Sequence, residues 1–148
     1  MENILAGRMK TKFIFVYGTL KNGYGNHRLL SRATSLGVAI TVNPFILTDV
    51  GFPYLHQPSD NTDITAYPVV GEMYAVSDEQ TMRDVDCLEG VDHNHYERVQ
   101  EKVEILRKGN SLFTEAYLYK SGHREIHPRE SLCNITVVNE KRVYQWSR

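Results

Sequence analysis

The sequence predicts a small α+β protein, a mixed and mostly antiparallel β-barrel with flanking helices. The continuous apolar run at residues 13–17 is typical of a buried strand. Most later apolar segments are short and are separated by turn residues rather than by helices, which disfavours a doubly wound sheet. Residues 77–89 are the clear exception, because their apolar positions recur at the spacing of an amphipathic helix.

Length and composition limit the classes of protein that this chain fits. Its 148 residues indicate one domain, which we place at residues 12–148, with residues 1–11 as an N-terminal extension. The net charge of −1 and the dispersed Lys and Arg residues argue against a nucleic-acid partner. No apolar run approaches the roughly 18 residues of a membrane span, so we expect no membrane association. Two cysteines and no signal-peptide core favour a cytoplasmic location, and the oligomeric state stays open.

The long helix has recognisable start and stop signals. Ser77 is the expected N-cap, and Gln80 three residues later would complete a capping box. Gly90 is expected to end the helix. The other expected elements are a short helix at 26–33, strands at 34–42, 45–50, 69–76, 96–106 and 112–119, and an exposed loop at 57–67. The segment after residue 122 is rich in turn residues, and we assign no element to it.

The first strand runs into a loop that contains several glycines. We expect Gly18 to let the backbone leave the strand through angles that other residues resist. Loop N–H groups can then converge on an anion or an oxyanion. The loop fits neither common phosphate motif, because Tyr24 and Gly25 stand where Lys and Ser/Thr are needed, and Arg28 replaces the last glycine of the dinucleotide pattern. An ordinary strand-to-helix turn is the simpler local explanation.

Glu89 is the carboxylate best placed for chemistry. It ends the amphipathic helix, where the helix dipole disfavours a negative charge and tends to raise the pKa. A raised pKa suits a general base that must also return its proton. An exposed glutamate at a frayed helix end would explain the same residue, and it is the simpler explanation from local sequence alone.

No motif for a metal site or for a covalent nucleophile is as well supported as Glu89. Residues 92–95, Asp-His-Asn-His, contain potential ligands, but two histidines without an evident third ligand fit a polar loop better than a metal site. The sequence has no G-x-S-x-G elbow and no catalytic cysteine signature. We therefore expect no metal and no cofactor.

Taken together, the motifs resemble the γ-glutamylcyclotransferase-like proteins, and within them the γ-glutamylamine cyclotransferases. The resemblance covers roughly residues 12–122. It is carried by six segments, which are Phe-Val-Tyr-Gly-Thr-Leu-Lys at 15–21, Asn-His-Arg at 26–28, Phe-Pro-Tyr-Leu at 52–55, Gly-Glu-Met-Tyr-Ala-Val at 71–76, Leu-Glu-Gly at 88–90 and Tyr-Glu-Arg at 96–98. Thinner similarity extends to Ala-Tyr-Leu-Tyr at 116–119. The combination of the Tyr-Gly-Thr-Leu loop with an acidic residue after a later helix is more specific than either piece alone.

The resemblance implies a fold, a reaction and a site. It implies a small mixed barrel whose enzyme cyclises a small-molecule γ-glutamyl substrate, releasing 5-oxoproline and a free amine. Glu89 would be the catalytic acid/base, and the substrate-binding residues would be Tyr17, Gly18, Thr19, Leu20, Tyr54 and Tyr96. The sequence does not name the leaving amine. The alternative is a non-catalytic binding module, or an interaction protein, that keeps the same pocket.

Overall fold

The computed structural model describes residues 8–90, 96–121, 126 and 130–147. Ten strands and one α-helix are present in this part of the chain. In chain order they are β1 (Arg8–Val16), β2 (Thr34–Thr41), β3 (Ile46–Asp49), β4 (Pro53–His56), β5 (Val70–Asp78), α1 (Glu79–Leu88), β6 (Tyr96–Ile105), β7 (Leu112–Ser121), β8 (Ser131–Leu132), β9 (Asn134–Val138) and β10 (Lys141–Gln145). Among these residues, no helix is both long and apolar enough to cross a membrane.

Five of the strands form a closed barrel in the order β1-β5-β2-β6-β7, which confirms the predicted fold class. Four of the five neighbouring pairs are antiparallel. The barrel closes through the parallel pair of β1 and β7, where Ile14 lies opposite Tyr117. The mixed character predicted from the turn-rich sequence therefore comes from this single closing contact.

Strand β1 lies between β5 and β7 in the barrel. Its apolar residues Ile14, Phe15 and Val16 are at most 3% exposed, as the buried run predicted. The strand begins earlier than the apolar run, at Arg8, and ends at Val16 rather than residue 17. Backbone pairing with β5 continues past the buried part, and such pairing does not require apolar side chains.

The long helix starts one residue later than the capping box predicted. Asp78 is the N-cap, and its carboxylate accepts a 3.0 Å hydrogen bond from the Thr81 backbone N–H. Ser77 still belongs to β5, where its hydroxyl lies 2.9 Å from the hydroxyl of Thr11. The predicted Ser77 cap was wrong because the helix begins one residue later, where the Asp78 carboxylate supplies the capping acceptor. Gly90 follows the helix with a φ of +67°, as expected of a residue that ends a helix.

The predicted helix at 26–33 is only a single 3₁₀ turn, His27–Leu30. Asn26 has helical backbone angles and makes no capping bond. Its side chain instead donates to the Thr19 hydroxyl at 2.8 Å, across the preceding loop. The amide is thus used to brace the loop rather than to start a helix.

The segment after residue 130 forms strands that the sequence did not predict. Strands β9 and β10 make a hairpin whose turn residues, Asn139 and Glu140, both have positive φ. Asn-Gly is the usual signal for such a turn, and its absence hid the hairpin. The hairpin contributes Tyr144 to the core, and its Lys141 pairs with buried Glu104 at 3.0 Å.

Candidate active site

A cavity of about 360 Å³ opens where β1 ends and α1 ends. Its walls come from the loop after β1, from the start of β4, from the last residues of α1 and from strands β6 and β7. The lining residues are Phe15, Val16, Tyr17, Gly18, Thr19, Leu20, Asn26, Phe52, Pro53, Leu88, Glu89, Tyr96 and Tyr119. Six of the seven residues singled out from the sequence thus meet in one cavity, and Tyr54 is the exception.

Gly18 is required for a different reason from the one expected. Its φ is not among the positive values, so the backbone there does not need a glycine for its angles. A Cβ atom at this position would instead lie 2.8 Å from Cγ of Pro53. The loop thus approaches the start of β4 too closely for any side chain. The expectation about unusual backbone angles was wrong, and close packing is the physical cause.

The loop is held by its own hydrogen bonds and by residues 26–27. The Lys21 N–H donates to the Gly18 carbonyl at 3.0 Å, which closes a turn. The Asn26 N–H donates to the Thr19 carbonyl at 3.1 Å, and a His27 ring nitrogen lies 3.0 Å from the Leu20 carbonyl. Within the described residues the N–H groups of Thr19 and Leu20 have no hydrogen-bond partner. These two donors remain available to a bound molecule.

Glu89 follows α1 as its C-cap residue and faces the loop across the cavity. In the part of the chain that the structure describes, its carboxylate makes no hydrogen bond and no ion pair. Burial raises the pKa of Glu89 to about 7, and the negative charge of Asp86 contributes further. The direction agrees with the sequence-based expectation, but the main cause is loss of water rather than the helix dipole.

Two of the cavity tyrosines donate hydrogen bonds to backbone carbonyls. The Tyr17 hydroxyl donates to the Tyr119 carbonyl, and the Tyr96 hydroxyl donates to the Pro53 carbonyl at 2.7 Å. Burial raises the pKa of Tyr17 well above its ordinary value, so its hydroxyl stays protonated. We infer that Tyr17 and Tyr96 shape the cavity rather than transfer protons.

Tyr54 lies behind the cavity wall instead of in it. Its ring stacks on Tyr96 with centroids 5.2 Å apart, and it also packs edge-on against Phe52 at 5.2 Å. Through these contacts it supports two residues that line the cavity. Tyr119, Phe52, Leu88 and Asn26 also line the cavity and were not predicted as site residues. Phe52, Leu88 and Asn26 lie within matched motifs, and Tyr119 lies in the more thinly matched segment at 116–119, which barrel closure brings to the site.

No group of three or more His, Cys, Asp and Glu side chains is arranged to hold a metal ion among the described residues. The Asp-His-Asn-His segment at 92–95 lies outside them. The charged group that the described cavity wall presents is the Glu89 carboxylate.

A model of the family described as gamma-glutamyl cyclotransferase, AIG2-like, matches residues 14–135. The chain belongs to this family. The match confirms the family and the class of enzyme predicted from the sequence. It spans the loop, the helix and Glu89, and it extends beyond residue 122, where the sequence-based resemblance ended.

Named relatives of this cyclotransferase family differ in what their names say they act on. The chain is 38% identical to the gamma-glutamylaminecyclotransferase of Rattus norvegicus, over 63% of this chain and 64% of the rat protein. It is 31% identical to the gamma-L-glutamyl-butirosin B gamma-glutamyl cyclotransferase of Niallia circulans, over 78% of this chain and 71% of that protein. Its fold resembles the crystal structure of an AIG2-like protein of Mus musculus, with a TM-score of 0.60, 28% identity, and coverage of 76% and 78%.

Proposed function

We propose that this cyclotransferase acts on γ-glutamylamines or γ-glutamyl-amino acids and releases 5-oxoproline and a free amine. The observation that carries the proposal is the position of Glu89. Its carboxylate has no hydrogen-bond partner among the described residues, has a pKa of about 7, and shares one cavity with the Tyr17 to Leu20 loop. A group with these properties can accept a proton and return it near neutral pH.

One carboxylate can carry the protons through the reaction. Glu89 removes a proton from the α-ammonium group of the substrate, and the resulting amine attacks the γ-carbonyl carbon and closes a five-membered ring. The ring nitrogen then loses a further proton, and the leaving nitrogen gains protons as its bond to the γ-carbon breaks. The α-nitrogen loses two protons in all, and the leaving nitrogen gains two and departs as an ammonium group. No redox step or covalent enzyme intermediate is needed.

The loop after β1 is suited to the negative charge that develops during the attack. The free N–H groups of Thr19 and Leu20 are donors that can bind the tetrahedral oxyanion or the α-carboxylate of the substrate. The loop is already braced by the bonds from Asn26 and His27, so little reorganisation is required when the charge forms. Preorganised donors of this kind are worth roughly 10²–10³ in rate.

The described cavity wall favours an apolar leaving group. Phe52, Pro53 and Leu88 contribute apolar surface, and Phe52 and Leu88 are 39% and 41% exposed at the rim. No Lys or Arg lines the described part of the cavity, so a carboxylate next to the scissile nitrogen would lack a cation there. These contacts support a γ-glutamylamine over a γ-glutamyl-α-amino acid. The relatives are named for different substrates, so we base the choice of leaving group on the cavity of this protein.

The test is to incubate the purified protein with γ-glutamyl-ε-lysine and with γ-glutamyl-alanine and to measure 5-oxoproline. We expect turnover of both, with a higher kcat/KM for the lysine compound. Glu89→Gln keeps the shape of the side chain but cannot take the ammonium proton, so it should lose roughly a hundredfold or more in kcat. Glu79→Gln removes the same charge from the exposed start of α1, and it should behave as wild type.

Two outcomes would contradict the proposal. Equal turnover by Glu89→Gln and wild type would remove Glu89 from the mechanism. Binding of both compounds without any 5-oxoproline, under conditions where the protein is folded, would support the alternative of a binding module that uses the same cavity.

A further inference from the structure

Asp86 lies at the junction of α1 with strands β6 and β7. Its Oδ1 accepts a 2.6 Å hydrogen bond from the Tyr119 hydroxyl. Both of its carboxylate oxygens accept from Nη1 of Arg98, at 3.1 and 2.9 Å. The Arg98 guanidinium in turn lies over the ring of Tyr117, 5.0 Å from its centroid. One carboxylate therefore joins the helix to two strands of the barrel.

The same junction is next to Glu89. Asp86 and Glu89 are three residues apart at the end of α1, and residues at this spacing are neighbours on one helix face. Tyr119 lines the cavity, and its carbonyl accepts the hydrogen bond from Tyr17. Contacts thus run without a break from Arg98 through Asp86 and Tyr119 to the substrate loop.

We propose that Asp86 is a positioning residue for the cyclisation, and that the Asp86–Arg98 pair both fixes the end of α1 against the cavity wall and sets the protonation of Glu89. The inference rests on the proposed function, because it assigns a role within that reaction. Arg98 does not itself line the cavity, and it acts through Asp86 and through Tyr119, which lies opposite it on β7.

The protonation of Glu89 depends on which charges face its carboxylate. The titratable groups that the described structure places around it are Tyr17 from the end of β1, Tyr96 from β6, Tyr119 from β7 and Asp86 from its own helix. None of these is a cation. The negative charge of Asp86 disfavours ionised Glu89, and Arg98 partly cancels that charge. Both partners of the pair are 29% exposed, so water screens them and the effect is moderate.

Removing each partner should therefore move the protonation of Glu89 in opposite directions. Asp86→Asn keeps an oxygen acceptor for Tyr119 and Arg98 but removes the charge. The positive charge of Arg98 is then no longer offset by Asp86, and it lowers the pKa of Glu89. Arg98→Gln leaves the Asp86 charge without its cation and raises the pKa. Arg98→Lys retains the positive charge and should stay close to wild type.

The experiment measures kcat/KM against pH for these variants with γ-glutamyl-ε-lysine. We expect the acidic midpoint to fall by about one unit in Asp86→Asn and to rise by up to about one unit in Arg98→Gln. Asp84→Asn is the control, because it removes the same charge from the same helix at a side chain whose hydrogen-bond partner among the described residues is Gln80. Its midpoint should match wild type. A purely structural role of Asp86 would lower kcat at every pH and leave the midpoint in place.

A direct titration separates this inference from the proposed function. The Glu89 carboxyl carbon can be followed by ¹³C NMR against pH, with the resonance assigned by its absence in Glu89→Gln. Opposite shifts of that midpoint in Asp86→Asn and Arg98→Gln would support the inference even if no substrate is turned over. Unchanged midpoints in both folded variants would overturn it, whether or not the enzyme is active.

Discussion

At the scale of single residues, the site depends on two positions whose surroundings give them their properties. Glu89 is an ordinary glutamate that has lost water and gained a like-charged neighbour, Asp86. Gly18 is an ordinary glycine that lies so close to the ring of Pro53 that a Cβ atom would force one of them to shift. Both features are visible only where several segments meet, although each residue stood out in the sequence.

The raised pKa of Glu89 predicts a pH-dependent cost to stability. Its pKa is about 7 in the folded protein against 4.5 ordinarily, so folding favours the protonated form. The associated stability is fully present below pH 4.5 and is lost as the pH rises through about 7. Glu89→Gln should therefore match wild type in acid and exceed it by roughly 1–3 kcal/mol above neutrality. Urea unfolding of both proteins between pH 4 and 8 measures this difference, and a constant difference across that range would contradict it.

The contact of Gly18 with Pro53 predicts that even alanine damages the site. A Cβ atom at residue 18 must push on Pro53, whose carbonyl holds the Tyr96 hydroxyl. We expect Gly18→Ala to lower kcat/KM by about tenfold or more, with Gly18→Val worse still, because misplacing cavity groups by about 1 Å is costly to rate. Thermal melts should show that both variants remain folded.

Gly25 provides the matched control in the same loop. Nothing lies within 4 Å of a Cβ atom built there, and its φ is not positive. Gly25→Ala should retain wild-type kcat/KM. If Gly18→Ala also retained it, the close approach of loop and β4 would have no role in catalysis.

At the scale of elements, helix α1 matters because its end carries Glu89 into the cavity wall and places Asp86 next to it. Its amphipathic pattern was sufficient to predict the helix, and the buried residues Met82 and Val85 confirm the face that packs on the barrel. The start of the helix was misplaced by one residue. Local signals favoured Ser77, but pairing with β1 extends β5 through Asp78 and moves the N-cap there.

The corrected N-cap predicts unequal effects of two adjacent alanine substitutions. Asp78→Ala removes the acceptor for the Thr81 N–H and should cost about 1 kcal/mol, or a fall in Tm of about 2–4 °C for a chain of this size. Ser77→Ala removes an exposed hydroxyl contact and should stay within about 0.5 kcal/mol of wild type. Thermal melts of the two variants measure the difference. A larger fall in Tm for Ser77→Ala than for Asp78→Ala would indicate that Ser77 caps the helix after all.

At the scale of the whole molecule, the C-terminal hairpin completes the core beneath the substrate loop. Trp146 is 1% exposed and belongs to the cluster that contains Phe15 and Tyr17. Its carbonyl accepts a 2.6 Å hydrogen bond from Nζ of buried Lys21, directly after the loop. The last described strand of the chain and the first loop are thus one packed unit.

This packing predicts that Trp146→Ala affects stability and the site together. Loss of a buried tryptophan should cost about 3–5 kcal/mol and lower the Tm accordingly. We also expect a raised KM at temperatures where the variant is folded, because the anchor of Lys21 is weakened. Val137→Ala on the same hairpin is the control, since Val137 is 65% exposed and should change neither quantity. A destabilised Trp146→Ala with unchanged KM would show that the hairpin supports the fold without affecting the loop.

The sequence by itself determined the features that depend on neighbouring residues. Apolar spacing predicted β1 and α1, turn residues predicted a mostly antiparallel barrel, and two short motifs indicated Glu89 and the loop at 17–20. Tertiary structure alone decided the rest. Barrel closure brings Tyr119 into the cavity, and burial raises the pKa of Glu89. The close approach of the loop to Pro53 explains why residue 18 is a glycine. These properties arise from contacts between segments far apart in the chain, and local periodicity carries no information about such contacts.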